Sequence, residues 1–112
     1  MELRIQRWSE SEPPDEAELK RRLSGEGFDA FVWHDGPAAD YAPHTHEHDE
    51  SLWVVRGLIT FGVEGRSHAL GPGDRLMLPA GTLHSAVAGR DGATYLIGRR
   101  SLKSSAAREE AS

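Results

Sequence analysis

The 112-residue chain contains no cysteine. That excludes disulfides and thiolate metal ligands, and it leaves the redox compartment open. No apolar run approaches the roughly 20 residues that a bilayer-crossing helix needs. The opening Met1-Glu2-Leu3-Arg4 lacks the pattern of a secretory leader. A cytoplasmic protein with no membrane partner is therefore expected. Positive charge is also scarce: 13 Lys and Arg face 18 Asp and Glu, a net charge of −5. With no basic face to offset it, a nucleic-acid partner is not expected. A Ser-His-Asp spacing signal, a phosphate-cradling glycine loop and a nucleotide motif are all missing. There is no internal repeat and no sign of a second domain.

What the chain does have is glycine, 12 in all, and short apolar runs between turn formers. Residues 2–8 alternate, with Leu3 and Ile5 opposing Arg4 and Gln6, as in a half-buried edge strand. Asp15 to Ser24 reads as a short helix that opens with acids, closes on Lys20-Arg21-Arg22 and stops at Gly25. Leu19 and Leu23 give it one apolar stripe to lay on a sheet. Strands are predicted at Phe28–His34, from about Tyr41, at Leu52–Arg56 and at Leu58–Val63. Further strands are predicted at Ser67–Leu70, Arg75–Leu78, His84–Ala88 and Thr94–Gly98. Gly57 is read as the turn of a hairpin, and Gly89–Gly92 as another turn. About nine strands at roughly 8–12-residue spacing indicate an all-β sandwich or barrel. One domain over residues 1–100 is expected, with residues 101–112 a frayed tail.

The densest chemistry lies in Pro43-His44-Thr45-His46-Glu47-His48-Asp49-Glu50. It holds half of the six histidines and runs into the apolar Leu52-Trp53-Val54-Val55. So many polar groups against a strand are costly to bury without a partner. A divalent metal ion suits imidazoles and a carboxylate together. On a strand, His44 and His46 would project from one face. Glu50 follows beyond a short polar turn, where the next strand can bring it back. His-x-His alone reads more readily as a solvated loop, so a further ligand must come from elsewhere. The candidate is His84, which opens an apolar stretch after the Pro79-Ala80-Gly81 turn. His48 shares the parity of His44 and His46 but falls in the polar turn, and whether it joins the ion is open. Asp49 is expected to face solvent or support the turn.

These two segments resemble the paired motifs of the cupin superfamily. The first motif is His-x-His, three residues, Glu, six residues, Gly, matched here by His44, His46, Glu50 and Gly57. The second is Gly, five residues, Pro-x-Gly, two residues, His, matched by Gly73, Pro79, Gly81 and His84. Ala38 stands where the first motif has an earlier glycine, and Ala88 where the second often has asparagine. Neither is a metal ligand in the family. The resemblance implies a single-domain double-stranded β-helix, or jelly-roll barrel, with one short N-terminal helix added. It also implies a homodimer and a metal site with open coordination.

Three imidazoles and one carboxylate (His44, His46, Glu50 and His84) suit one divalent transition metal ion: Mn, Fe, Co, Ni, Cu or Zn. A small metal-dependent enzyme of dioxygenase, isomerase or lyase type, acting on a small organic molecule inside the barrel, is the leading expectation. The alternative is a binding or sensor barrel without chemistry, and a storage role stands third. His34 and His68 are candidates for the cavity mouth. Trp33, Tyr41, Trp53, Phe61 and Met77 are read as core or cavity wall, and no general base stands out beyond the ligands.

Overall fold

The computed structural model describes residues 1–101. The order of elements is β1 (Arg4–Gln6), α1 (Glu16–Gly25), β2 (Asp29–Asp35), β3 (Asp40–His44), β4 (His48–Val63), β5 (Arg66–Leu70), β6 (Arg75–Leu78) and β7 (His84–Ser101). Beyond Ser101 in β7, the expected tail lies outside the described residues.

Two long strands form the spine. β4 and β7 pair antiparallel from His48 opposite Ser101 to Val63 opposite His84. Register shifts fall between Val54 and Arg56 and between Gly57 and Ile59. Before this bend β4 also pairs with β6; after it, β4 pairs with β5. β7 takes β3 on its first half and β2 on its second. The strand order is β1-β6-β4-β7-β2, with β3 on β7 and β5 on β4. One antiparallel sheet of seven strands is thereby folded over on itself as a jelly-roll barrel, with β1 at an edge.

The expected hairpin at Gly57 and the expected turn at Gly89–Gly92 are not there. Each pair of short strands is one long strand, so nine predicted strands become seven. Gly57 and Gly92 have φ of 82° and 79°. They bend the two strands at the same place instead of reversing either chain, which is how a bulge acts. Their backbones touch: a Cβ on Gly57 would lie 2.3 Å from the Gly92 carbonyl oxygen. A Cβ on Gly92 would lie 2.3 Å from the Asp35 carbonyl oxygen.

Apolar residues sort into two clusters. Leu52, Val54, Ile59, Phe61, Leu76 and Tyr95 are among those that fill the space between the two halves of the sheet. On the outer face, Leu19 and Leu23 of α1 pack with Phe28, Trp53, Val55 and Leu96. Asp15 caps the helix, accepting the Glu18 amide at 2.9 Å. The helix runs one residue past its expected end, through Gly25, and closes at Glu26, whose amide reaches the last-turn carbonyls. Arg75, almost fully buried on β6, ties it to the sheet. Its guanidinium donates to Ser51 Oγ at 2.7 Å and to both Glu26 carboxylate oxygens at 3.1 and 2.6 Å. It also lies 4.5 Å from the Trp53 ring centroid. A cation so placed is paired and stacked, which offsets its loss of water.

The loop between β2 and β3 is pinned to β7, with the Ala38 amide on the Gly89 carbonyl and the Ala88 amide on the Ala39 carbonyl, at 2.9 and 2.8 Å. This holds Ala38 at φ 58°, in the left-handed region where a Cβ is strained. That explains why glycine suits this motif position. Replacing Ala38 with glycine should therefore raise unfolding stability by roughly 0.5–1 kcal/mol, the relief outweighing the added freedom of the unfolded chain. Gly57→Ala should instead cost about 3 kcal/mol or more, because backbone lies where the methyl must go. Urea titration of both variants checks the pair.

Candidate metal centre

Three elements bring the candidate ligands together. His44 ends β3 and stands opposite His84, the first residue of β7. Glu50 is the third residue of β4. His46 lies in the loop between β3 and β4, not on a strand beside His44 as expected. That loop is held from across the barrel, where the Gly81 amide donates to the His46 carbonyl at 2.8 Å. Asp49, buried instead of facing solvent, accepts the Ala80 amide at 2.9 Å. The Pro79–Gly81 turn is thus stitched to the histidine segment at two points.

The rings converge. Centroids of His44 and His84 are 4.3 Å apart, those of His44 and His46 4.9 Å, and those of His46 and His84 5.2 Å. One ring nitrogen from each lies within 4.8 Å of the others, and His46, His48 and Glu50 form a second such trio. The Nδ1 of His44 bonds the Ala42 carbonyl at 2.7 Å, and that of His84 the Thr82 carbonyl at 2.9 Å. A carbonyl only accepts, so Nδ1 carries the proton and Nε2 keeps a free lone pair. That is the support a ligating imidazole needs. Glu50, 3 % exposed, sits with Oε1 3.5 Å from His46 Nε2. This donor set fits a first-row divalent ion.

Burial pushes the His46 imidazole below its ordinary pKa of 6.5. Glu50 opposes that shift, and the neighbouring imidazoles add to it. Burial likewise lowers His84, against the pull of the Thr82 carbonyl. Both are therefore held neutral, the form a metal requires.

His44, His46, Glu50 and His84 line one end of a cavity of about 350 Å³. Phe31, Leu52, Phe61 and Ile97 form apolar walls, and Arg99 is the one cation lining it among the described residues. Its Nε is 3.4 Å from Glu50 Oε2. Trp33, Tyr41 and Tyr95 complete the lining. All three donate to the buried Asp35 carboxylate. Trp33 Nε1 does so at 2.8 Å and the Tyr95 hydroxyl at 2.7 Å, while the Tyr41 hydroxyl makes a short bond to Oδ1. The Asp35 bond raises the Tyr41 pKa, and burial followed by Asp35 raises that of Tyr95. Both hydroxyls stay protonated at neutral pH.

His48 belongs to the start of β4, not to the turn, and is absent from the cavity lining. His34 is exposed and pairs with Thr94 Oγ1. His68 lines a separate hollow with Leu3 and Ile5. Of the aromatic candidates, Trp33, Tyr41 and Phe61 wall the cavity, whereas Trp53 belongs to the helix cluster. Asp35, Tyr95 and Arg99 were missed by the sequence reading. Tyr95, Ile97 and Arg99 alternate along β7, and that period was the available signal.

A family model described as "Cupin domain" matches residues 31–97. The structure of KdgF from Halomonas sp. is 33% identical with a TM-score of 0.57, over 68% of this chain and 72% of that one. The DMSP lyase DddQ from Ruegeria pomeroyi DSS-3 is 26% identical, TM-score 0.62, over 67% of this chain. A variant of oxalate decarboxylase from Bacillus subtilis is 25% identical, TM-score 0.59, over 66%. The chain spans 39% of the lyase's length and 21% of the decarboxylase's. Comparison with curated proteins found no match.

The depressed imidazoles carry a pH dependence in the metal-free protein. The unfolded chain takes up protons near pH 6.5, but the fold resists them until lower pH. Stability should therefore be full above about pH 6.5 and fall as the pH drops below it. Denaturation of chelator-treated protein from pH 8 to pH 5 checks this, and the slope should flatten in the double variant His46→Gln, His84→Gln.

Proposed function

The chain belongs to the cupin family, and from that premise we propose that it is a small metal-dependent enzyme acting on a small anionic organic molecule held inside the barrel. Three converging imidazoles, with Glu50 beside His46 on the lining of the same apolar-walled cavity, carry this reading. His44, His46 and His84 would hold the ion through Nε2, with Glu50 supplying a carboxylate oxygen. Mn, Fe, Co, Ni, Cu and Zn all suit such a donor set. A bound ion supplies Lewis acidity to a substrate oxygen.

The chain's own residues do the rest. Arg99 places a half-exposed guanidinium beside the same cavity end, where it attracts a carboxylate. Phe31, Leu52, Phe61 and Ile97 exclude water from the remainder of the molecule. Tyr41 and Tyr95 spend their protons on Asp35, so they turn hydroxyl oxygens, not free donors, toward the ligand. Among dioxygenase, isomerase and lyase chemistry, lyase-type bond cleavage is favoured by the names of the relatives: DMSP lyases and an oxalate decarboxylase. Residues 1–100 act as one barrel domain in this reading. The short edge strand β1 suits pairing with a second copy as a homodimer.

Elemental analysis of protein purified without a histidine tag tests the premise. About one divalent ion per chain is expected, and His46→Ala should lower its affinity by roughly 100-fold or more. Metal-loaded protein should then turn over at least one member of a panel of small carboxylic acids, and His46→Ala should not. A tightly co-purified, unreacted acid with no turnover would mark a binding module instead.

A further inference from the structure

The two oxygens of Glu50 are not equivalent. Oε1 faces the histidine cluster, 3.5 Å from His46 Nε2. Oε2 lies 3.2 Å from His48 Nε2 and 3.4 Å from Arg99 Nε. We propose that His48 is a positioning residue, not a ligand: with Arg99 it clamps Oε2, so that Glu50 presents Oε1 alone to the ion. The proposal rests on the metal-site reading above.

Proximity alone does not decide this, because His46, His48 and Glu50 form a trio as tight as His44, His46 and His84. Three observations separate them. First, His44, His46, Glu50 and His84 line the cavity and His48 does not. Second, Nδ1 of His44 and of His84 is occupied by a carbonyl, which leaves their Nε2 lone pairs free. His48 instead directs its Nε2 at Glu50 Oε2, 3.2 Å away. Third, the Glu50 carboxylate is almost fully buried, and Oε2 would be left under-paired if His48 turned elsewhere. A hydrogen bond to the second oxygen fixes the plane of a ligating carboxylate.

Zinc alone is a sufficient probe, because it is diamagnetic. A long-range 1H–15N correlation spectrum of the Zn(II)-loaded full chain reads each imidazole nitrogen. His44, His46 and His84 should each show a metal-bound Nε2, and His48 a protonated Nε2. His48→Phe, which keeps bulk and removes the donor, should weaken Zn(II) affinity about 10- to 100-fold at unchanged stoichiometry. His48→Gln, whose amide can donate to Oε2, should recover most of that loss. A metal-bound nitrogen on His48, or a His48→Gln variant as deficient as His44→Ala, would overturn the assignment while leaving the metal site standing. Unchanged affinity in His48→Phe would also overturn it. A wild-type protein that takes up no zinc would overturn both this assignment and the metal-site reading.

Discussion

The architecture depends on one close approach of backbone to backbone. Gly57 of β4 rests on the carbonyl of Gly92 in β7, and Gly92 rests on the carbonyl of Asp35 at the end of β2. Side chains at either glycine would force the three strands apart. Because they can touch, two long strands bend together and remain paired on both sides of the bend. That lets seven strands close over one core, and it brings β3 and the start of β7 over the face where Glu50 and Arg99 project.

The same contact sets the polarity of the cavity. Asp35 is carried into the interior at the end of β2, where it gathers the hydroxyls of Tyr41 and Tyr95 and the indole of Trp33. The histidines and Glu50 gather elsewhere on the lining, anchored by the two bonds that join the Pro79–Gly81 turn to the His46 loop. Among the described residues no fully buried side-chain nitrogen or oxygen lacks a partner.

Much of this was legible in the sequence because it follows local rules. The acids and bases of α1 and the alternation of residues 2–8 predicted their elements to within a few residues. The two spaced motifs led to the barrel and to four side chains that line its cavity. The bends were not legible. A glycine with positive φ looks alike in a turn and in a bulge, and only the partner strand decides between them. Asp35 was missed for a related reason. With Gly36 and Pro37 after it, it reads as the first residue of a loop, whereas burial and three donors come from β3, β7 and its own strand. Arg99 follows a glycine near the chain's end and reads as solvated charge until Glu50 is seen opposite it.

The division of the apolar residues into two clusters bears on how this protein can change. Leu52, Phe61 and Tyr95 are at once packing residues of the barrel interior and walls of the ligand space. Any enlargement or reshaping of that space for a new ligand therefore draws down folding stability in the same substitution. The cluster beneath α1, fastened by Arg75, shares none of its buried side chains with that lining. Improvements there add nearly independently of changes in the ligand space. The helix is thus the natural reservoir of compensation: lineages or laboratory variants that acquire a new specificity should accumulate their rescuing substitutions on it.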